Sequence, residues 1–92
     1  MRIDYQAQIW REGGHCIAHA QPLDVASAGD TPEAARTALE EAVQLFLATA
    51  ADHGTLDVVL EEAGYTRTDG NETEWRVPDW VSSESATALV EA

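Results

Sequence analysis

His15, Cys16 and His19 are the residues whose types most directly suggest chemistry, because imidazole and thiolate groups are common zinc ligands. The surrounding pattern predicts a strand, on which His15 and His19 share a face but lie roughly 13 Å apart. Two imidazoles at that separation cannot both reach one zinc ion with bonds of about 2 Å. Cys16 points to the other face, and no fourth ligand lies nearby in the sequence. We therefore interpret these three as strand residues and predict neither a metal site nor a cofactor.

Catalytic motifs are absent from the sequence. It contains no GxSxG or HExxH pattern, no Cys/His/Asn set at a recognisable spacing and no glycine loop of the kind that binds phosphate. Carboxylates are abundant, but pairs such as Glu40-Glu41 and Glu61-Glu62 are explained by solvated helix faces. The residues therefore predict that the chain is not an enzyme.

The charge balance narrows the choice of partner. Among 92 residues there are 17 acidic residues and five arginines with no lysine, so the formal net charge is −12. Nucleic acids and anionic membranes draw on lysine and arginine for binding, so neither is an expected partner. A cationic protein fits the charge, although solubility alone also explains a strong net charge. A single cysteine, the lack of a signal peptide and the lack of a membrane-length apolar run predict a cytoplasmic protein.

One long helix organises the elements that would position these residues. Asp30 or Thr31 can cap it, Pro32 suits its first position, and Gly54 marks its end after Asp52. Residues at three- and four-residue spacing form its apolar stripe: Ala35, Ala38, Leu39, Ala42, Phe46 and Thr49. Another apolar set lies beside that stripe and needs cover from a second helix or another subunit: Val43, Leu47 and Ala50.

Alternating residues predict strands on both sides of this helix. Residues 2–11 form one strand with Ile3, Tyr5, Ala7 and Ile9 on one face; after a turn at residues 12–14, strands follow at 15–20 and 25–28. A short helix capped by Thr55 covers 56–63, and a hairpin joins arms at 65–69 and 73–77 through Asp69-Gly70-Asn71. The predicted fold is α+β, an antiparallel three-stranded sheet packed on one long helix, then a short helix and a hairpin. Residues 1–81 form the domain, and 82–92 a polar tail in which Ala88-Leu89-Val90 is a candidate edge strand.

The aromatic residues suggest a protein-binding surface. Tryptophan is favoured at interfaces, and we expect Trp75 and Trp80, on either side of Pro78, to be exposed. Core packing is the other explanation for any one of them. The candidate partner-binding residues are Trp10, Trp75, Trp80, Glu40 and Glu41.

The layout resembles the HicB-type antitoxin family. The resemblance rests on the glycine turn between two strands, the run Gly29-Asp30-Thr31-Pro32-Glu33-Ala34 that opens the helix, and the segment 56–65, and it covers about residues 3 to 65. Leu23-Asp24-Val25 stands where the family has LPGC. The resemblance implies a partial RNase H-like fold of three strands, a helix and a further strand, without RNase H activity. It also implies that the protein binds and masks a small basic RNase toxin of the HicA type.

Three functional hypotheses follow. The first is a HicB-like antitoxin-type protein that neutralises a small basic HicA-type RNase by direct contact. The alternative is a stand-alone HicB-like domain that forms homodimers or tetramers without a toxin. A lesser alternative is a metal-dependent nuclease, since the implied fold is shared with nucleases.

Overall fold

The computed structural model describes residues 2–68, 71–78, 80–82 and 84–91. Their fold is α+β, as predicted: a three-stranded antiparallel sheet packs against one long helix, and a short helix and a small second sheet follow. The elements are β1 (Arg2–Ile3), β2 (Gln6–Glu12), β3 (His15–Gln21), β4 (Val25–Gly29), α1 (Pro32–Asp52), α2 (Leu56–Glu62), β5 (Thr66–Thr68) and β6 (Asn71–Arg76).

The first sheet has the order β2-β3-β4, with antiparallel neighbours. Glu12 pairs with His15 across the two-residue turn Gly13-Gly14, where Gly13 has φ 61°. A positive φ at the first central position is what a type II′ hairpin turn requires, and glycine meets it without a steric penalty. Between β3 and β4 the chain turns through residues 22–24, and the N–H of Asp24 donates to the carbonyl of Ala20 at 2.9 Å.

Helix α1 begins and ends where the sequence predicts. Of the two possible caps, Thr31 is the one used: its Oγ1 accepts a hydrogen bond from the N–H of Ala34 at 3.0 Å, and Pro32 follows at the start of the helix. Gly54, with φ 70°, lies just beyond the last turn. At α2 the prediction was wrong in one detail, because the Thr55 side chain caps nothing and donates back to the carbonyl of Ala50 at 3.3 Å.

The face of the first sheet that lies against α1 is built from small residues. Cys16, Ala18 and Ala20 on β3 are buried there, with exposed fractions of 1% or less. At the end of β4 the helix comes closer still, since a Cβ on Gly29 would lie 2.6 Å from the backbone nitrogen of Ala35. Only glycine therefore fits at position 29 without displacement of the helix.

The buried stripe of α1 is displaced from the predicted one. It consists of Ala35, Leu39, Val43 and Ala50. Thr49, which was predicted on the stripe, is exposed. Val43 belongs to the buried core, against which Leu56 of α2 packs together with Ile3 and Tyr5. The second helix therefore contributes to covering this set, as expected, and the first residues of the chain contribute as well.

The predicted first strand is divided into β1 and β2, and this division joins two sheets. Arg2 and Ile3 pair in parallel with Glu74 and Trp75 of β6, which gives the second sheet the order β1-β6-β5. The hydroxyl of Tyr65 donates to the carbonyl of Asp4, in the break between β1 and β2, at 2.6 Å. In the predicted hairpin turn, Asn71 belongs to β6, while Asp69 and Gly70 lie outside the described residues.

The C-terminal residues that the structure describes, 80–82 and 84–91, form no helix or strand. The candidate edge strand Ala88-Leu89-Val90 is therefore absent, and Leu89 and Val90 are 95% and 84% exposed. Of the helices within the described ranges, none combines the length and the apolar character needed to cross a membrane.

Candidate protein-binding surface

The first sheet has one face that no helix covers. Cys16, Ala18 and Ala20 point towards α1, so the alternate residues of β3 point away from it. Pairing across the strands places Trp10, Ile17 and Ala28 in one row and Gln8, His19 and Ala26 in the next. We call this surface the open face; its members are Gln6, Gln8, Trp10, Glu12, His15, Ile17, His19, Gln21, Ala26 and Ala28.

An aromatic cluster occupies the centre of the open face. The rings of Trp10 and His19 meet edge to face, with centroids 6.5 Å apart and an interplanar angle of 61°, and Ile17 pairs with Trp10 across the strands. This is a favourable geometry for two rings with π-systems. Trp10 nevertheless remains 41% exposed. The open face therefore presents an indole that a partner can desolvate.

His19 is held in place by an aspartate. Its Nε2 lies 2.7 Å from Oδ1 of Asp24, and its side chain is 21% exposed. Because an ionised carboxylate can only accept hydrogen bonds, Nε2 carries the proton. The hydrogen bond with Asp24 thereby helps to orient the ring that contacts Trp10.

Acidic residues lie at both ends of the open face. Glu12 lies at the end of β2, Asp24 contacts His19, and Oδ1 of Asp30 lies 3.6 Å from Nδ1 of His15. The side chains of Asp24 and Asp30 are 89% and 92% exposed, so their charges face solvent. None of the ten open-face residues is lysine or arginine. An apolar centre with a charged rim is the usual anatomy of a protein interface, and here the rim suits a cationic partner.

The structure places Trp75 in the core, which corrects the expectation that it is exposed. It is 2% exposed, pairs with Ile3, and has the guanidinium carbon of Arg67 4.8 Å from its ring centroid. Arg67 also bonds the carboxylate of Asp57 on α2. Trp75 therefore cannot touch a partner directly, because the pairing of β6 with β1 turns it inward. Trp80 is 45% exposed.

The predicted acidic residues do not join the tryptophan on the open face. Glu40 and Glu41 are exposed on α1, where they border a patch with Gln44, Leu45 and Ala48. Because α1 covers the inner face of the first sheet, this patch and Trp10 lie on opposite sides of the sheet. The five predicted residues are thus distributed over at least two surfaces and the core.

The two histidines of β3 lie on the same face, as the strand prediction requires, but each is nearest to an aspartate. Cys16 is buried on the opposite face. Throughout the described ranges, no three His, Cys, Asp or Glu side chains are grouped so that they could hold a metal ion. A separate cleft, on the second sheet, is lined by Arg2, Arg76, Asp4 and Glu74, so its charges balance.

Sequence reasoning missed Ile17, His19, Asp24 and Asp30 as parts of one surface. The available signal was the contrast between the two faces of β3: one carries Cys16, Ala18 and Ala20, and the other carries two histidines and an isoleucine. Small residues alone on one face indicate close helix packing, which leaves the second face for solvent or a partner.

No family model matches the chain, and neither a curated protein nor a solved structure matches it.

Proposed function

We propose that this chain is a HicB-like, antitoxin-type binding protein that neutralises a small basic RNase of the HicA type through protein–protein contact. The observation that carries the proposal is the half-exposed Trp10, packed on His19, on a face whose two ends carry the acidic residues Asp24 and Glu12 with Asp30. The proposal requires no catalytic group of this chain. Its action is to occupy the basic surface of the toxin.

The arrangement supports both the strength and the speed of binding. Removal of Trp10 from water supplies apolar contact area in a surface where Ile17 is the only other large apolar side chain among the ten open-face residues. Central tryptophans commonly contribute about 2 kcal/mol or more to an interface, which is about 30-fold in Kd. The net charge of −12 attracts a basic partner over distance, and added salt screens that attraction.

The order of elements also supports the proposal. The fold implied by the resemblance has three strands, a helix and a further strand, and here β6 lies beside the first strand after α1 and α2. Within the family-like run at the start of α1, Gly29 permits the close approach of the helix and Thr31 caps it. The residues that carry the resemblance are thus also residues that this fold needs.

Light scattering of the purified chain, alone and mixed with a small basic RNase encoded beside it, tests the proposal. We expect a defined hetero-complex and loss of the RNase activity on mixing. Trp10→Ala should weaken the complex by about 30-fold, whereas Val58→Ala, at an apolar residue 54% exposed on α2, should leave it unchanged. If the masses of the two proteins stay separate and RNA cleavage continues, the antitoxin function is wrong.

A second function, a stand-alone homo-oligomer, is favoured by a different observation. Leu45 is 70% exposed on α1 and lies in a patch with Gln44 and Ala48. Burial of such a side chain against another copy would be favourable. Sedimentation of the chain alone tests this: a dimer or tetramer that Leu45→Glu dissociates would support it, and a monomer at all concentrations would contradict it.

A further inference from the structure

Strand β4 is an edge strand without the usual protection. It lies at one side of the first sheet and runs as Val25-Ala26-Ser27-Ala28-Gly29, with no charge, no proline and an unbroken register against β3. Exposed edges normally carry lysine, proline or a bulge, because their unpaired backbone groups accept another strand. The opposite edge, β2, has Arg11 and Glu12 near its end. Strand β4 is therefore the edge more open to strand addition.

The register identifies the free backbone groups of β4. Glu12 and His15 flank a two-residue turn, so they form a hydrogen-bonded pair, and every second residue of β3 from His15 bonds to β2. The intervening residues of β3 bond to β4, in the pairs Cys16 with Gly29, Ala18 with Ser27 and Ala20 with Val25. The carbonyl of Ala20 agrees with this, since it accepts from Asp24 at the start of β4. By the same alternation, Ala26 and Ala28 direct their N–H and C=O groups away from the sheet.

Two carboxylates flank this edge. Asp24 and Asp30 immediately precede and follow β4, and their side chains are 89% and 92% exposed. Along an extended strand they are separated by roughly 20 Å. Asp24 lies beside His19 and Asp30 lies beside His15 on the open face. The carboxylates of both aspartates nevertheless remain accessible to a cationic side chain of a partner.

The charges of Asp24 and Asp30 determine which kind of strand can pair favourably with β4. Two copies of β4 paired antiparallel about Ser27 would put Asp24 of one copy opposite Asp30 of the other, at both ends of the pairing. Like charges directly across a ladder are destabilising, and each copy already carries a net charge of −12. A strand with lysine or arginine at those positions makes favourable pairs instead. The small side chains of Ala26 and Ala28 leave room for larger residues of the incoming strand.

We propose that β4 binds an extended basic segment of a protein partner by strand addition. The partner backbone bonds to Ala26 and Ala28, and cationic side chains six residues apart meet Asp24 and Asp30. This inference rests on the proposed function for the basic character of the partner. It shares Asp24 and Asp30 with the open face, but its backbone contacts lie at the edge strand β4 and can be tested without any toxin.

The probe is an amidated, acetylated peptide of sequence KTVTVTK, with the charge-reversed ETVTVTE as control. In amide exchange followed by NMR, the N–H groups of Ala26 and Ala28 should become protected on addition of KTVTVTK. The N–H of Ser27, which already faces β3, should not change. The control peptide should protect none of them, and salt should weaken the binding of KTVTVTK. Unchanged exchange at Ala26 and Ala28 in saturating KTVTVTK would overturn the inference.

Proline variants test the edge itself. Ala28→Pro removes an N–H that points outward and leaves the ladder with β3 intact, so it should weaken peptide binding by about tenfold or more. Ala7→Pro makes the matched change at the β2 edge, where the N–H also points outward, and should leave the affinity unchanged. Equal affinity of the Ala28→Pro variant and the parent would contradict strand addition at β4.

Charge variants keep the test valid if the proline variant does not fold. Asp24→Asn with Asp30→Asn retains the backbone, and asparagine tolerates the positive φ of 59° at position 24. This pair should reduce affinity about threefold and flatten its salt dependence. Concentration-dependent protection of Ala26 and Ala28 in the chain alone would instead identify a second copy as the occupant and refute the proposal.

The outcomes separate this inference from the proposed function. Peptide binding at β4 without any complex with a basic RNase would retain strand addition and remove the antitoxin function. A complex with the RNase that is sensitive to Trp10→Ala but insensitive to Ala28→Pro would do the reverse.

Discussion

Substitution of Gly29 by alanine is the sharpest test of how α1 is seated on the first sheet. An ideal Cβ at this position would lie 2.6 Å from N of Ala35, 2.7 Å from C of Ala34 and 2.8 Å from Cβ of Ala34. Two of these three atoms belong to the helix backbone, so no side-chain rotation relieves the contacts. The helix or the end of β4 must shift, against a core in which Ala18, Ala20 and Ala35 have no exposed surface.

The expected cost of Gly29→Ala is about 2 to 3 kcal/mol of unfolding free energy, the upper part of the range for overpacking. For a domain of this size, that corresponds to a decrease in Tm of roughly 10 to 20 °C. Two other glycines provide matched controls in the turn between β2 and β3. At Gly14, which lacks a positive φ, an added Cβ meets nothing within 4 Å, so alanine should be neutral or stabilise by about 0.5 kcal/mol. Gly13 has equal space but φ 61°, so alanine should cost about 1 to 2 kcal/mol.

Thermal and urea unfolding followed by circular dichroism would measure all three variants. The predicted order of stability is Gly14→Ala above Gly13→Ala above Gly29→Ala. A Gly29→Ala variant as stable as the Gly14→Ala variant would refute the close approach of α1 to β4. It would also leave Gly29 without a structural role at the start of α1.

Further predictions concern the cap, the core, one tyrosine and catalysis. Thr31→Ala should cost about 1 kcal/mol in urea unfolding, and Asp30→Ala much less, because only Thr31 caps α1; equal losses would contradict this. Leu39→Ala, at a side chain 1% exposed, should cost about 2 to 5 kcal/mol in the same assay. Burial, with smaller effects of Asp4 and Tyr5, raises the pKa of Tyr65 from 10.0 to about 12. The folded state therefore holds the Tyr65 proton more tightly than the unfolded state does. The stabilisation of the fold by the protonated Tyr65 is complete below pH 10 and is lost as the pH rises through about 12. The loss is about 2 to 3 kcal/mol by alkaline urea titration, and Tyr65→Phe should remove it; a variant that keeps the full loss would contradict it. Incubation of the chain with RNA and magnesium should give no cleavage, whereas cleavage that copurifies with it would support a nuclease.

Local signals were enough to predict most of the fold. The cap, proline and glycine around residues 30 to 54 define α1, and period-two alternation with a glycine turn defines the β2–β3 hairpin. The division of the first strand at Asp4 was not predictable in this way. It depends on the pairing of Ile3 with Trp75 and on the hydrogen bond from Tyr65, both made by residues distant in sequence.

The same distinction explains the tryptophans. Trp10 lies on the polar side of an alternating strand, so its place on the open face follows from local periodicity. Trp75 also lies on a strand, but its burial is decided by β1 and by Arg67, which no local pattern around it reveals. The displaced stripe of α1 has a similar cause, because Val43 belongs to a core against which Ile3, Tyr5 and Leu56 pack from three other segments.

The parallel pairing of β1 with β6 also has a consequence for biosynthesis. Ile3 leaves the ribosome long before its partner Trp75. At about 5 to 20 residues per second, the 72 residues from Asp4 to Trp75 take roughly 4 to 14 seconds to translate. During that interval the β2–β3 hairpin and α1 can form. Ile3 is not yet held by its pairing with Trp75, so Val43 on α1 still lacks one of its fixed neighbours. The nascent chain thus keeps the apolar side chains of Ile3 and Val43 less buried until β1 pairs with β6.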